Sequence, residues 1–417
     1  MIKSKLSIWK KLSLFFASIA PGIFLVGYNI GTGSVTTAAS TGANYGMTYV
    51  WPLLLSCVFT YILIVAFGRF TVVTGETALF SFKKHFGIGL AIFVLLSVVI
   101  SEWVAFMGVM SVVCEVVKEW SRPLTPSGEG INMIILSIGF GGLIYYFFWN
   151  GTQRFFEKIP MIFVAIMGVS FIATMFMVIP EPMQVIKGLV PKIPGEANAA
   201  LLIAGMVGTT MGGVLYLVRS ILVQEKGWTI NDLREEKRDA FISSAMMFIL
   251  SAAIMACAAG TLFPLGLKVD NAIDMVRLLE PLAGRFAISI FVAGIVSAGL
   301  SSMFPHLLLA PWFLAEIAEK PRDMKRYYNR LIALFTVSLG LVVPLFGGRP
   351  VLVMIVSQVL CAVATPVIIL LMLLLQNKKE VMGKYRATPG FNLVMIFIFL
   401  FTIFMAITGI IGIRGLL

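Results

Sequence analysis

Apolar residues run along this chain in long stretches separated by short polar clusters, and two of the stretches lose their apolar character in the middle. Eleven spans can be drawn, at roughly 14–41, 48–68, 87–113, 131–149, 160–179, 200–224, 240–263, 286–315, 331–346, 350–376 and 391–413. Each is near or above the ~20 apolar residues that cross a hydrocarbon layer. The pattern predicts an all-α integral membrane protein with eleven transmembrane helices. Within span one, "LFFASIAPGIFLVGY" gives way to "NIGTGSVTTAAS" (29–40). Span six, "LLIAGMVGTTMGGVLYLVRSILV", holds Gly208, Thr209, Thr210, Met211, Gly212 and Gly213 at its centre. In lipid, non-helical backbone survives only where protein buries it or where it lines a cavity. Each segment is therefore a close helix contact of the small-xxx-small kind or a binding site. Spans one and six are five helices apart, so the second group of five is inverted relative to the first. Paired interruptions at matching positions of inverted halves point to a transporter's midplane site. The expectation is two breaks, near Gly31–Ser34 and Thr209–Gly213, facing each other across a cavity. It places residues 1–417 in a single transporter domain, with 1–180 as the first repeat, 200–376 as the second and 391–413 as an extra helix.

Composition agrees: 59% of the 417 residues are hydrophobic and 12% charged, against about 25% charged in a soluble domain. Cys57, Cys114, Cys257 and Cys361 are scattered through apolar runs without CxxC spacing and read as free membrane thiols. The net charge of +12 follows topology. With the N-terminus inside, 22 Lys and Arg fall in cytoplasmic segments, nine fall outside and Arg219 lies within span six. That bias orients the chain with its N-terminus cytoplasmic and its C-terminus outside, and it gives no nucleic-acid footprint. The first apolar run lacks a small-residue cleavage site before span two and reads as a retained helix, not a signal peptide. Arg219 lies about 9 Å beyond Gly213 at the helical rise. It faces the site or snorkels to the cytoplasmic interface, and the snorkel is the expectation.

Several stretches resemble the NRAMP family of divalent-metal transporters, within the amino-acid/polyamine/organocation superfamily. "APGIFLVGYNIGTGSVTTAASTGANYGMTYVW" is similar to that family's first helix and following turn, including Gly33, Gly42, Ala43, Gly46 and Trp51. "VVTGE" (Val72–Glu76), "AFMG" (Ala105–Gly108), "SAGLSS" (Ser297–Ser302), "SQVLCAVATP" and "NKKEVMG" resemble further family segments. The resemblance implies a leucine-transporter-like fold with a five-plus-five inverted repeat, broken helices one and six, and alternating access. It also implies a multi-pass protein of a bacterial inner (plasma) membrane, working as a monomer without a cofactor, whose partners are a transported small ion or solute and the lipid bilayer.

The departures from the family lie at its metal site. Where the family carries Asp-Pro-Gly-Asn, this chain has Gly31, Thr32, Gly33 and Ser34; where it carries Met-Pro-His, this chain has Met211, Gly212 and Gly213. Ala105 replaces an acid on helix three, and Glu102, one turn earlier, matches a second family acid. Hard dications want carboxylate oxygens, and Glu102 is the only carboxylate deep within a span. It is a functional candidate or a buried hydrogen-bonded anchor of helix three.

A metal would depend on Met211 sulfur, Ser34 hydroxyl, carbonyls of both breaks and water. The candidate substrate contacts are Gly31, Thr32, Gly33, Ser34, Thr210, Met211, Gly212, Gly213 and Gln358. The Gly-hydroxyl-Gly break also suits an anion at a half-helix N-terminus. Ala298 carbonyl with Ser301 and Ser302 at i+3 and i+4 shares one face and resembles the sodium site of leucine-transporter-like folds. Together with Glu102 these form the candidate coupling-ion residues. His306, after Pro305, reads as a satisfied kink residue, and His85 lies in a basic loop. The lost acids and imidazole predict transport that is uncoupled or sodium-driven, not proton-driven.

The reading is a secondary transporter of a divalent cation of the Mn/Fe/Mg class through an atypical site. A transporter of a small organic or anionic solute and a transport-dead sensor are the alternatives. A channel would show a repeated filter segment or pore helix, and no nucleophile–base pair, nucleotide loop or carboxylate pair supports an enzyme.

Overall fold

The structure, a computed structural model, describes residues 20–151, 153–177, 182–192, 197–267, 272–347 and 350–414. The start of the first span, and with it the reading of the N-terminal run as a retained helix, lies outside the described residues.

Within the described residues every regular element is helical. Span one is two short helices, α1 (Ala20–Asn29) and α2 (Thr32–Tyr45), followed by α3 (Val50–Thr74), α4 (Ala78–Phe86), α5 (Ile88–Ser121), α6 (Met133–Asn150) and α7 (Gln153–Met177). After the short α8 (Pro182–Gly188), span six is again two helices, α9 (Ala197–Thr210) and α10 (Gly213–Lys226). Then come α11 (Leu233–Thr261), α12 (Ala272–Ile317), α13 (Tyr327–Leu339), α14 (Val342–Phe346), α15 (Pro350–Asn377), α16 (Lys379–Met382) and α17 (Pro389–Arg414). Among the described residues nine segments are long and apolar enough to cross a membrane, and Met161–Met177 is a shorter apolar helix. With the broken α1–α2 pair these account one for one for the eleven expected spans. The kink in α12 falls at Gly284, whose φ of 74° suits a residue without Cβ.

The core is built by α5 lying against α12 and α15, and by α11 lying against α2 and α3, with α1 held among α7, α11 and α12. Small residues explain the second contact. The buried "TTAASTGA" of α2 faces the Ala-rich "SAAIMACAA" of α11, and small side chains let helix backbones approach closely where no hydrophobic effect drives them together. The α2 hydroxyls turn back onto their own helix: Thr37 donates to Gly33 O (2.9 Å) and Thr41 to Thr37 O (2.7 Å). The periphery is apolar: Leu393, Phe397, Leu400, Phe404 and Ile411 of α17 form an exposed stripe at helical spacing, which suits a lipid-facing surface.

Arg219 corrects its expectation. It is fully buried and does not snorkel; it is ion-paired to Asp239 and, at 3.1 Å, to Glu236 Oε1, with Trp228 5.5 Å away. A buried charge is tolerated only when paired and hydrogen-bonded, and α11 supplies both partners. Asp239 Oδ1 also accepts the Gly22 N–H at 3.0 Å, so the cluster ties α1 to α10 and α11.

Candidate functional site

Breaking a helix leaves backbone groups without intrahelical partners, and at both breaks side chains supply them. Asn29, the last residue of α1, donates its amide to the carbonyls of Thr209 (3.1 Å) and Thr210 (3.0 Å), which end α9. Thr60 of α3 donates to the same Thr210 carbonyl at 3.0 Å. Ser34 Oγ donates back to Asn29 O (2.7 Å), and Ser301 Oγ of α12 donates to Gly27 O (3.2 Å). The Gly213 N–H that opens α10 donates to Thr365 Oγ1 of α15 at 2.8 Å. One amide therefore fastens the first break to the second.

The breaks are tighter than expected. In the first, only Ile30 and Gly31 leave the helix; Thr32–Ser34 already form the opening turn of α2, because Val35 N–H donates to Gly31 O at 3.1 Å. The second comprises Met211 and Gly212 alone. Both border one cavity of about 80 Å³. Gly31, Gly33, Ser34, Gly212, Gln358 and Glu102 line it, as does Ala105.

Seven candidates are not brought to this lining. Thr32 turns its hydroxyl to Met354 Sδ (3.6 Å), and Thr210 turns its own back to Met206 O (2.8 Å). Gly213 is taken by Thr365. Met211, the expected thioether ligand, is 3% exposed in the hydrophobic core. Ala298 stands behind the cavity with Ser301 and Ser302: Ser301 donates to Ala298 O (2.9 Å) and Ser302 to Ala298 O (3.1 Å) and Gly299 O (3.0 Å). Of the two, Ser301 alone reaches α1, at the Gly27 carbonyl, and both hydroxyls are engaged by carbonyls.

Glu102 is held from two sides. Tyr28 donates its hydroxyl to Oε1 at 2.8 Å, and His306 Nδ1 pairs with Oε2. All three side chains line the cavity, and the Tyr28 and His306 rings meet edge-on at 5.3 Å between centroids. His306 is thus a member of the site, not a kink residue satisfied elsewhere. An imidazole therefore stands at the cavity, on α12. Sequence reasoning also passed over Asn29, Tyr28, Met354 and Cys361. The spacing of Met354, Ser357, Gln358 and Cys361 (i, i+3, i+4, i+7) was the signal that could have marked one face of span ten.

Comparison with known proteins agrees with this architecture. The family described as "Natural resistance-associated macrophage protein-like" matches residues 22–412. The divalent metal cation transporter MntH of Clostridium acetobutylicum is 29% identical over 258 residues, covering 58% of this chain and 57% of that protein. MntH of Caldanaerobacter subterraneus subsp. tengcongensis is 22% identical over 396 residues, covering 91% and 89%. Among solved structures, a mutant of the Eremococcus coleocola manganese transporter aligns with a TM-score of 0.71 at 16% identity, covering 99% of this chain and 89% of that one. A Na+-coupled sialic acid symporter aligns at 0.64 and 12% identity, covering 95% and 88%. The leucine-transporter-like fold is the one observed, and the chain belongs to the natural resistance-associated macrophage protein-like family.

Proposed function

We propose that this protein is a secondary transporter that carries a divalent metal cation of the Mn/Fe/Mg class by alternating access between inverted repeats at 1–180 and 200–376. The observation that carries the reading is the pair of helix breaks, stapled by Asn29, that border the same cavity. Such paired breaks near the bilayer midplane serve substrate binding in transporters built from inverted repeats. The relatives named as divalent metal cation transporters support the cargo class. The cargo meets Gly31, Gly33, Ser34, Gly212 and Gln358, and the missing family carboxylate is not replaced at the break itself. The excess of cations on one set of loops supports an N-terminus in the cytoplasm and a C-terminus outside a bacterial inner membrane.

Two sets of groups are available for coupling. Ala298, Ser301 and Ser302 with Gly27 O offer oxygens to sodium. Glu102, between Tyr28 and His306, offers a proton acceptor. The expectation that protons play no part rested on the loss of two acids and an imidazole near the site; His306 beside Glu102 supports a proton acceptor there in spite of those losses.

A flux panel in proteoliposomes tests the reading, with Mn²⁺, Fe²⁺, Mg²⁺, amino acids and small anions supplied under a sodium gradient, a pH gradient or neither. Saturable dication uptake is the expected result. Organic or anionic solute moving while every dication is excluded contradicts it. Concentrative uptake under the pH gradient alone, abolished by Glu102→Gln, assigns coupling to the carboxylate; dependence on sodium assigns it to the serines.

A further inference from the structure

Several cations around α4 are neutralised by neighbouring acids. Lys83 pairs with Glu319 at 2.6 Å and Lys84 with Glu76. Arg322 is held by Glu316 at 2.9 Å and Glu225 at 3.3 Å, and Arg326 by Asp323 at 3.9 Å. The segment joining α15 to α17, on the same side of the molecule, is different. It carries Lys378, Lys379, Lys384 and Arg386, with Glu380 as its one acid. It sits against the end of α3, where Arg69 donates through Nη2 to the carbonyls of Tyr385 and, at 3.3 Å, Arg386. None of these five cations has a carboxylate partner among the described residues.

The cluster is held in place by the fold. Ala387 N–H donates to Gln376 O at 3.1 Å, and Asn377 and Asn392 exchange amide hydrogen bonds at 2.9 and 2.7 Å, which closes the segment at its base. Lys378 lies 4.9 Å over the Phe86 ring at the end of α4, and Lys384 5.3 Å over Tyr385. Lys379, Lys384 and Arg386 are exposed, and Arg69 is half-buried. Orientation in a membrane requires only that cations stay on one side. It does not require a half-buried guanidinium pinned to two carbonyls among four other positive charges, whose mutual repulsion an anion would relieve.

We propose that this cluster binds the headgroup of an anionic phospholipid from the leaflet on its side of the membrane. The phosphodiester sits at Arg69 and Arg386, and the acyl chains run along α17. Basic pockets between transmembrane helices suit lipid phosphates, and a guanidinium matches phosphate oxygens as a fork. Helices α3, α15 and α17 end or begin here, so the cations stand at headgroup depth. The exposed apolar stripe of Leu393, Phe397 and Leu400 starts about one turn beyond Pro389. A nucleic acid or an acidic protein would use the charges and leave the stripe; a phospholipid uses both. The proposal is independent of the cargo.

The test titrates the full chain, in an uncharged detergent, with phosphatidylglycerol or phosphatidylcholine and counts bound lipid by native mass spectrometry. Wild type should prefer phosphatidylglycerol. Lys384→Gln with Arg386→Gln should weaken its binding by about tenfold, or ~1.4 kcal/mol. Lys320→Gln with Lys325→Gln removes the same charge from exposed positions beyond Glu319 and should leave binding unchanged. On wild type alone, phosphatidylglycerol with a photoreactive acyl chain should label residues 393–400, and glycerophosphoglycerol, the headgroup without chains, should not compete at equal concentration. No preference in wild type, equal weakening by both variant pairs, labelling confined to other helices, or a free headgroup that competes as well as the lipid would each overturn the proposal.

Discussion

Asn29 shows how one side chain lets two broken helices coexist. Its amide meets two carbonyls that the end of α9 leaves open; without it the Thr209 carbonyl would lose this donor and the Thr210 carbonyl would keep only Thr60. Nothing in the sequence distinguishes this asparagine from a polar loop residue, because its partners lie 180 and 181 positions away. The same limit applies to Gly31. The resemblance implies that an Asp is lost here, but only the structure shows what fills the space: a Cβ there would lie 2.7 Å from Ser302 Oγ and 3.0 Å from its Cβ. Restoring the acid with Gly31→Asp alone should therefore fail to tighten Mn²⁺ binding, because Ser302 must give way. Gly31→Asp with Ser302→Gly should bind Mn²⁺ more tightly than wild type. Calorimetric titration of both folded variants checks this, and equal affinities would show that the break is not where the ion binds.

At the scale of elements, hydropathy was enough to find every span, because lipid requires long apolar segments and the described helices follow them closely. The breaks were legible as glycine and hydroxyl clusters. Their length was not, since the first turn of α2 forms as soon as Val35 N–H meets Gly31 O. The direction of side chains at the second break was also invisible: Met211, whose thioether looked like a ligand, is found in the core. The Arg219 cluster was hidden for a related reason: snorkelling and burial differ only in whether α11 presents acids at that depth. Gly22 and Gly68 are bare where Asp239 and Glu236 need room; a Cβ on Gly22 would stand 2.6 Å from Asp239 Oδ1. Removing one partner of a buried pair costs about 3–5 kcal/mol. Asp239→Ala, which also frees the Gly22 N–H, should lower the melting temperature in detergent. An unchanged melting temperature would mean that Glu236 alone suffices to hold the guanidinium.

Across the whole molecule, α1 is the element that joins the parts. Its start is tied through Gly22 to α10 and α11, its end through Asn29 to α9, its Tyr28 to Glu102 of α5, and its Gly27 carbonyl to Ser301 of α12. Any movement that opens the cavity to one side must release some of these contacts. The cavity, bounded by both breaks, is where the account places the cargo. Crystals of the full chain grown with Mn²⁺, with diffraction collected at the manganese absorption edge, test this most directly. An anomalous peak is expected between Ile30–Gly31 and Met211–Gly212, within contact distance of Gln358. A bound ion seen only elsewhere, with this cavity free of anomalous signal at a Mn²⁺ concentration that saturates binding in solution, would contradict it.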